Sequence, residues 1–335
     1  MVTIDDVAKR AGVAPSTVSY ALSGKRPISG ETRERIEKAI ADLGYRQHAS
    51  ARALASQRTD VIGLMAPLRV GVDVNVIMQF VAGVVAGANA SGYDVLLVTQ
   101  EDGVLDRVVG SSMVDAVVVM DVEAADPRIP QLSALGRPTV LIGLPAEPQG
   151  LSCIDLDFAR AGALAARHLT GLGHRSIALL GSPAEVMERH TSYAERMNRG
   201  FTDACEGAGA QHLVIPTNPS VSGAEEAVER LLAELPDVTA LVVHNEVALP
   251  HVISALRARG RSVPEDLSLV ALCPENTALA QVPPVTSIDL PAETIGRAAI
   301  DMLTAIIDEG APGEVRLIAP QVVERGTTRA PRSAG

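Results

Sequence analysis

The chain has 335 residues, 47% of them hydrophobic, and a formal net charge of −11. That length exceeds one typical core and points to two or three domains. No run reaches the roughly 20 apolar residues of a membrane span, and the opening MVTIDDVAKRAG lacks the apolar stretch of a secretion signal.

The acidity alone argues against a nucleic-acid partner, but it is unevenly spread. Residues 1–59 sum to +4 and hold all three lysines, Lys9, Lys25 and Lys38, while residues 60–335 sum to −15. A small basic head on a large acidic body is the asymmetry expected when only the head touches phosphates. Cys153, Cys205 and Cys273 are scattered and form no CxxC pair; they read as free thiols in a reducing cytoplasm, with no disulfide and no metal site.

Three short helical patterns open the chain. In the first, Ile4, Val7, Ala8 and Ala11 recur at helical spacing, with Thr3 placed to cap and Gly12 to stop. Pro15 suits the first turn of a second helix. A third stripe, Ile36, Ala39, Ile40 and Leu43, follows the capping hydroxyls Ser29 and Thr32 and closes at Gly44. Two helices joined by a glycine turn and braced by a third make a helix-turn-helix. Val18, Ala21 and Leu22 hold the second helix inward, which leaves a face of Ser16, Thr17, Ser19 and Tyr20 for a major groove, where hydroxyls meet base edges and phosphates.

The stretch TIDDVAKRAGVAPSTVSYALSG, then SGETRERIEKAIADLGY, resembles the head of the lactose-repressor (LacI/GalR) family of bacterial transcription regulators. The resemblance implies that Pro15, Ser16 and Tyr20 bear specificity and that Thr17 and Ser19 face phosphates. Thr3, Lys25 and Arg33 complete the implied DNA contacts of the head, residues 1–46. Ala14 stands where serine is common, Ser23 where asparagine is common, and Tyr20 where arginine is frequent, so a bidentate guanine contact is lost at position 20.

Residues 47–59, in RQHASARALASQRT, form a short alanine-rich stretch that is marginal as an isolated helix. On its residues alone it is a linker that favours helix. By resemblance it is a hinge helix that orders when two copies pair in the minor groove, with Leu54 wedging the central base step beside Ala49, Arg52 and Ala53. Gln47 replaces the proline often found near the start of that hinge.

From residue 60 to 330 the texture changes. Candidate strands are 61–66, 94–99, 116–120, 138–143, 176–181, 239–244 and 267–272, separated by helical stretches such as 75–91, 159–172, 190–207 and 246–260. This alternation implies buried parallel sheets with helices on both faces, folded as two doubly wound lobes. The expected fold class is thus an all-α helix-turn-helix head on an α/β body. RHLTGLGHRSIALLGSP, SVPEDLSLVAL and PPVTSIDLPAETIGRAAIDML resemble the family's body, which implies a periplasmic-binding-protein-like architecture with an effector in the cleft between lobes.

The effector candidates are Asp73, Asp157, His190, Arg196, Asn245, Glu246 and Glu275. Asp157, at the start of a helix, suits either a cap or a ligand contact. The family's pattern is altered here: Met197 occupies its usual arginine position, its Asn-Asp becomes His244-Asn245, and its effector aspartate is lost in Ala271-Leu272-Cys273-Pro274. Only seven aromatic residues are present, which argues against a simple monosaccharide. His174, ahead of an apolar strand, reads as a structural turn residue.

TGLGH follows a helix, so it is no dinucleotide fingerprint. With no nucleophile motif, carboxylate pair or metal spacing, no catalytic residue, cofactor or metal is expected. The expected function is a homodimeric regulator, a repressor, that binds a near-palindromic operator under control of a small effector, a sugar or oligosaccharide. It would be cytoplasmic, nucleoid-associated when on its operator, and without a membrane partner. A sugar-binding receptor without regulatory function shares the body but needs a secretion signal, and a nucleotide-using α/β enzyme needs a phosphate loop. The tail ERGTTRAPRSAG has no leucine heptad for a coiled-coil tetramer.

Overall fold

A computed structural model describes residues 2–23, 26–45, 58–69, 71–100, 103 and 113–332, in two units, Met1–Thr59 and Asp60–Gly335. Lys25, Ala49, Arg52, Ala53 and Leu54, assigned above to DNA, lie outside the described residues.

In the first unit, helix α1 (Ile4–Ala11) starts on a capping box. The Thr3 hydroxyl accepts from the Asp6 amide, and the Asp6 carboxylate accepts from the Thr3 amide at 2.9 Å. Those Thr3 bonds hold the Asp6 carboxyl below its ordinary range. Gly12, at φ +66°, lets the chain leave α1 and enter α2 (Pro15–Ser23) within a few residues. Helix α3 (Gly30–Leu43) starts at Ser29, whose hydroxyl accepts from the Thr32 amide, and ends at Gly44. Val7, Ala8, Val18, Ile36 and Ala39 form the shared core, and Arg10 ties α1 to α3 through Asp42 at 3.0 Å.

The second unit contains two six-stranded sheets with the same strand order. The first runs β11 (Val315–Ile318), β5 (Ser152–Leu156), β4 (Thr139–Ile142), β3 (Ala116–Val119), β1 (Val61–Met65), β2 (Asp94–Val98). The second runs β12 (Val322–Val323), β10 (Thr286–Asp289), β9 (Ser268–Cys273), β8 (Ala240–Val243), β6 (Ser176–Gly181), β7 (Gln211–Pro216). The central strands are buried along their whole length, as helices on both sides of a parallel sheet require.

All seven expected strands are present, and five more join them: β5, β7, β10, β11 and β12. Polar residues hide these in the sequence, as in Thr286-Ser287-Ile288-Asp289 and Val315-Arg316-Leu317-Ile318. The sheets are parallel as expected apart from one edge pairing, where β12 runs antiparallel to β10. The helix expected over 190–207 is α8 (Ser192–Gly207), and a short helix not anticipated, α7 (Ala184–Glu188), precedes it across a turn where His190 adopts φ +53°.

The chain crosses between lobes three times: from β5 into α6 (Phe158–Gly171), from β10 into α12 (Ala292–Glu309), and from β11 to β12. Helix α6 packs on α8, and α12 on α4 (Val74–Ala90). Both pairs meet backbone to backbone. A Cβ at Gly200 would lie 1.9 Å from the Ala159 carbonyl oxygen, and one at Gly296 2.3 Å from that of Phe80. Among the described residues no helix is long and apolar enough to cross a membrane.

Candidate functional site

In the first unit, the packing of α2 leaves one face outward. Pro15 and Ser16 are exposed at its N-terminal end, with Thr17, Ser19 and Tyr20 half-buried behind them. No acidic residue lies in its first turn, so its positive dipole end is unopposed by a carboxylate of its own. Arg33 is exposed on α3, whereas the Thr3 hydroxyl is occupied in the α1 cap, donating to Asp6 at 2.8 Å.

In the second unit, the carboxyl ends of both sheets converge on a cavity of about 430 Å³. Open α/β sheets bind ligands at such strand ends, where the strand order reverses; here that is between β1 and β3 and between β6 and β8. Asp121 follows β3, Ser182 follows β6, and His244, Asn245 and Glu246 follow β8; all line the cavity with the first turns of α4. Three of the seven aromatic residues, Phe80, Phe158 and Tyr193, stand in the same wall. Phe158, Tyr193 and His244 form a ring cluster with centroids 5.4 to 5.7 Å apart. Composition averages over the chain, so it concealed this concentration.

Four carboxylates line the cavity, Asp73, Asp121, Asp155 and Glu246, and no lysine or arginine does among the described residues. Two are compensated from behind the wall. Arg196 pairs with Asp155, and Arg69 lies 3.0 Å from Asp121. Asp73 caps α4, accepting from the Asn75 amide at 2.8 Å. Burial pushes the Glu246 carboxyl up to about 7, and the charge of Asp73 adds to the rise. Burial also lowers His244 to about 4, so its imidazole brings no positive charge at neutral pH. The cavity is therefore aromatic, rich in hydrogen-bond acceptors and short of cations. It suits hydroxyl donors and repels anions.

Of the seven effector candidates, the structure brings Asp73, Asn245 and Glu246 to this cavity. Asn245 also braces the loop, donating to the Thr217 carbonyl at 2.7 Å and accepting from the Ala248 amide at 3.1 Å. The other four are placed elsewhere. Asp157 caps α6, accepting from the Arg160 amide at 3.0 Å. His190 is an exposed partner of Glu195 at 2.6 Å, and Glu275 of Arg325 at 3.2 Å. Arg196 stands behind the wall, holding Asp155. The residues missed were Asp121, Asp155, Phe158, Ser182 and Tyr193. Asp121 and Ser182 directly follow expected strands and were findable by asking what comes next at each carboxyl end; Asp155 sits in a strand not anticipated.

His174 is buried and bonded at both ring nitrogens, Nδ1 to Thr239 at 2.9 Å and Nε2 to the Arg329 carbonyl at 2.9 Å. This ties the turn before β6 to the C-terminal segment. Among the described residues no three His, Cys, Asp or Glu are grouped to hold a metal.

Residues 3–47 match the family model described as bacterial regulatory proteins, lacI family, and residues 166–328 match a periplasmic binding protein-like domain. The HTH-type transcriptional regulator CelR of Thermobifida fusca is 30% identical over 330 residues, covering 94% of this chain and 95% of that protein. The HTH-type transcriptional regulator RafR of Escherichia coli is 30% identical over 333 residues, covering 96% and 97%. A transcriptional regulator CelR–cellobiose complex superposes with a TM-score of 0.69 at 26% identity, covering 98% of this chain and all of that one. The lac repressor dimer bound to operator and anti-inducer shares the fold, with a TM-score of 0.84 at 24% identity and coverage of 98% and 99%. Head, body and end-to-end relatives agree: the chain belongs to the lacI family of bacterial regulatory proteins and is a transcription regulator, not an enzyme or a bare receptor.

Proposed function

We propose that this regulator is a homodimeric repressor, with a DNA-binding head over 1–46, a hinge over 47–59 and an effector-binding body over 60–330. Its α2 enters the major groove of each half of a near-palindromic operator, with Pro15, Ser16 and Tyr20 toward bases and Thr17 and Ser19 toward phosphates. Its effector is an uncharged sugar or oligosaccharide bound in the body's cavity. One observation supports the effector class above others: a wall of three aromatics and four carboxylates, without lysine or arginine among the described residues. Carboxylates accept from sugar hydroxyls, aromatic faces stack on sugar rings, and a phosphate or carboxylate ligand would meet like charge.

A thermal-shift series tests this on the full chain, with cellobiose and other neutral oligosaccharides in one arm and sugar phosphates and purines in the other. A neutral saccharide at a hundredfold excess over its Kd should raise Tm by roughly 5–10 °C, and the phosphorylated sugars should not. The same saccharide should change operator affinity in a gel shift by roughly 5- to 150-fold. Stabilisation by a sugar phosphate or a purine alone would overturn the effector class.

A further inference from the structure

The tyrosine at the reading position of α2 does not stand alone. The Arg26 guanidinium carbon lies 5.2 Å from the Tyr20 ring centroid, inside the distance of about 6 Å for a cation–π contact. Arg26 is exposed and Tyr20 half-buried, so the ring is the fixed partner and the guanidinium the held one. A guanidinium held at the ring loses much of the rotamer freedom that makes a surface arginine a poor reader, and its planar fork of donors matches a guanine edge. We propose that Arg26, seated on the Tyr20 ring, reads a guanine edge in the major groove and restores the bidentate contact that tyrosine at position 20 forgoes. This rests on α2 being the helix that enters the groove.

Selection from randomised duplexes with the full-length protein tests it. Wild type should enrich a motif with guanine at one fixed position of each half-site. Arg26→Ala should lose at least about tenfold of its preference for guanine at one position per half-site, and Arg26→Lys should keep affinity while losing that preference. An Arg26→Ala protein that enriches the wild-type motif unchanged overturns this proposal and leaves the reading of α2 intact. If wild type enriches no motif, both fall.

A separate set of contacts in the body supports a second proposal. Besides the three crossovers, the lobes are joined by a small backbone bridge. Glu123, just after β3 of the first lobe, pairs antiparallel with Thr191, just before α8 of the second. The Ala124 amide donates to the His190 carbonyl at 2.8 Å and the Ser192 amide to the Val122 carbonyl at 3.0 Å. The Ser192 hydroxyl donates to the Leu144 carbonyl. Asp121 stands between Arg69 of its own lobe, 3.0 Å away, and Arg189 of the other, 3.9 Å away.

Both sides of the bridge are built stiffly. Asp121 and His190 each sit at φ +53°, a conformation that residues other than glycine keep only where their surroundings impose it. Asp126 accepts from the Glu123 amide at 3.1 Å, and Arg128 donates to the Asp121 carbonyl at 2.9 Å. We infer that this bridge is a clasp, a cooperative contact beside the cavity that couples the two lobes in addition to the three crossovers.

Ser192→Pro isolates the clasp. Position 192 is the first residue of α8, where proline costs a helix little, and Thr191 is already extended, at φ −61° and ψ 122°, as a residue before proline must be. The substitution removes both the amide and the hydroxyl donor. By hydrogen exchange on the full chain without effector, the Ala124 amide should be protected in wild type and exchange at least about tenfold faster in the variant, while β3 and β6 keep wild-type rates. Arg189→Ala should accelerate the same amide less, and it serves if the proline variant does not fold. A wild-type Ala124 amide that exchanges like an open loop, or one equally protected in both variants, overturns the clasp.

Discussion

Arg196→Ala is expected to cost the body about 3–5 kcal/mol, the usual penalty for removing one half of a buried ion pair. The guanidinium pairs with Asp155, and both side chains are about nine-tenths buried, at 11% and 7% exposure. It also reaches the Leu156 carbonyl at 3.5 Å and lies 5.6 Å from the Phe158 ring centroid. Asp155 lies one residue before the end of β5 in the first lobe, while Arg196 lies on a helix of the second, so the pair spans the first crossover. Without the arginine, only the Leu156 amide opposes burial on a carboxyl already pushed up to about 6.

The folded-state pKa of Asp155 then rises further, so the deficit grows as pH climbs and shrinks toward acid, where the carboxyl is neutral in both states. Denaturant unfolding at pH 6 and pH 8 measures both the cost and its slope. The double variant Asp155→Leu with Arg196→Met removes both charges at similar volume and should regain most of the loss, although a cavity carboxylate goes with it. A single variant within about 1 kcal/mol of wild type at pH 8 would show that the pair is structurally idle.

Glu246→Gln should have the opposite sign. A carboxyl raised from 4.5 to about 7 favours the fold while protonated. That contribution is complete below pH 4.5, declines as pH rises through 7, and is absent above. Glutamine never ionises, so the variant should be more stable than wild type at pH 8 by about 1–3 kcal/mol, or roughly 2–9 °C in Tm. Near pH 4.5 the two should melt together. The groups around Glu246 give it no relief: Asp73 is acidic, His244 is neutral and Cys273 is a buried thiol that its charge helps push up to about 12.

An acceptor kept at a cost to stability fits the ligand role proposed above, so the same variant should bind its saccharide more weakly. In wild type, effector affinity should rise about tenfold between pH 6 and pH 8 as the carboxylate forms, and that dependence should vanish in the variant. Equal melting temperatures at pH 8 would remove the case for a strained acceptor at this position.

Local rules settle the head. Thr3, Ser29 and Pro15 mark helix starts, Gly12 and Gly44 mark ends, and the stripe of Val7, Ala8, Val18, Ile36 and Ala39 allows one way of packing three short helices, because each signal acts over a few residues. The body's class is equally local, since continuous apolar runs alternating with amphipathic helices leave little but a covered parallel sheet. The five strands left unanticipated were written in mixed residues: β7, β11 and β12 are sheet edges, while β5 and β10 are interior strands whose Ser, Thr and Asp break the apolar run.

The cavity belongs to a different scale. Phe158 and Tyr193 are 35 positions apart and Phe80 is farther still, yet crossovers and strand order set them in one wall. Arg196 resembled a ligand-binding cation until a buried aspartate was found in front of it. What residues mean within a helical turn was determined by the sequence alone: head, alternation, basic-acidic division and membership of a family. Which distant side chains share a surface, and which charges cancel, only the tertiary structure decided, because contact and burial depend on the whole path of the chain and not on the residues beside them.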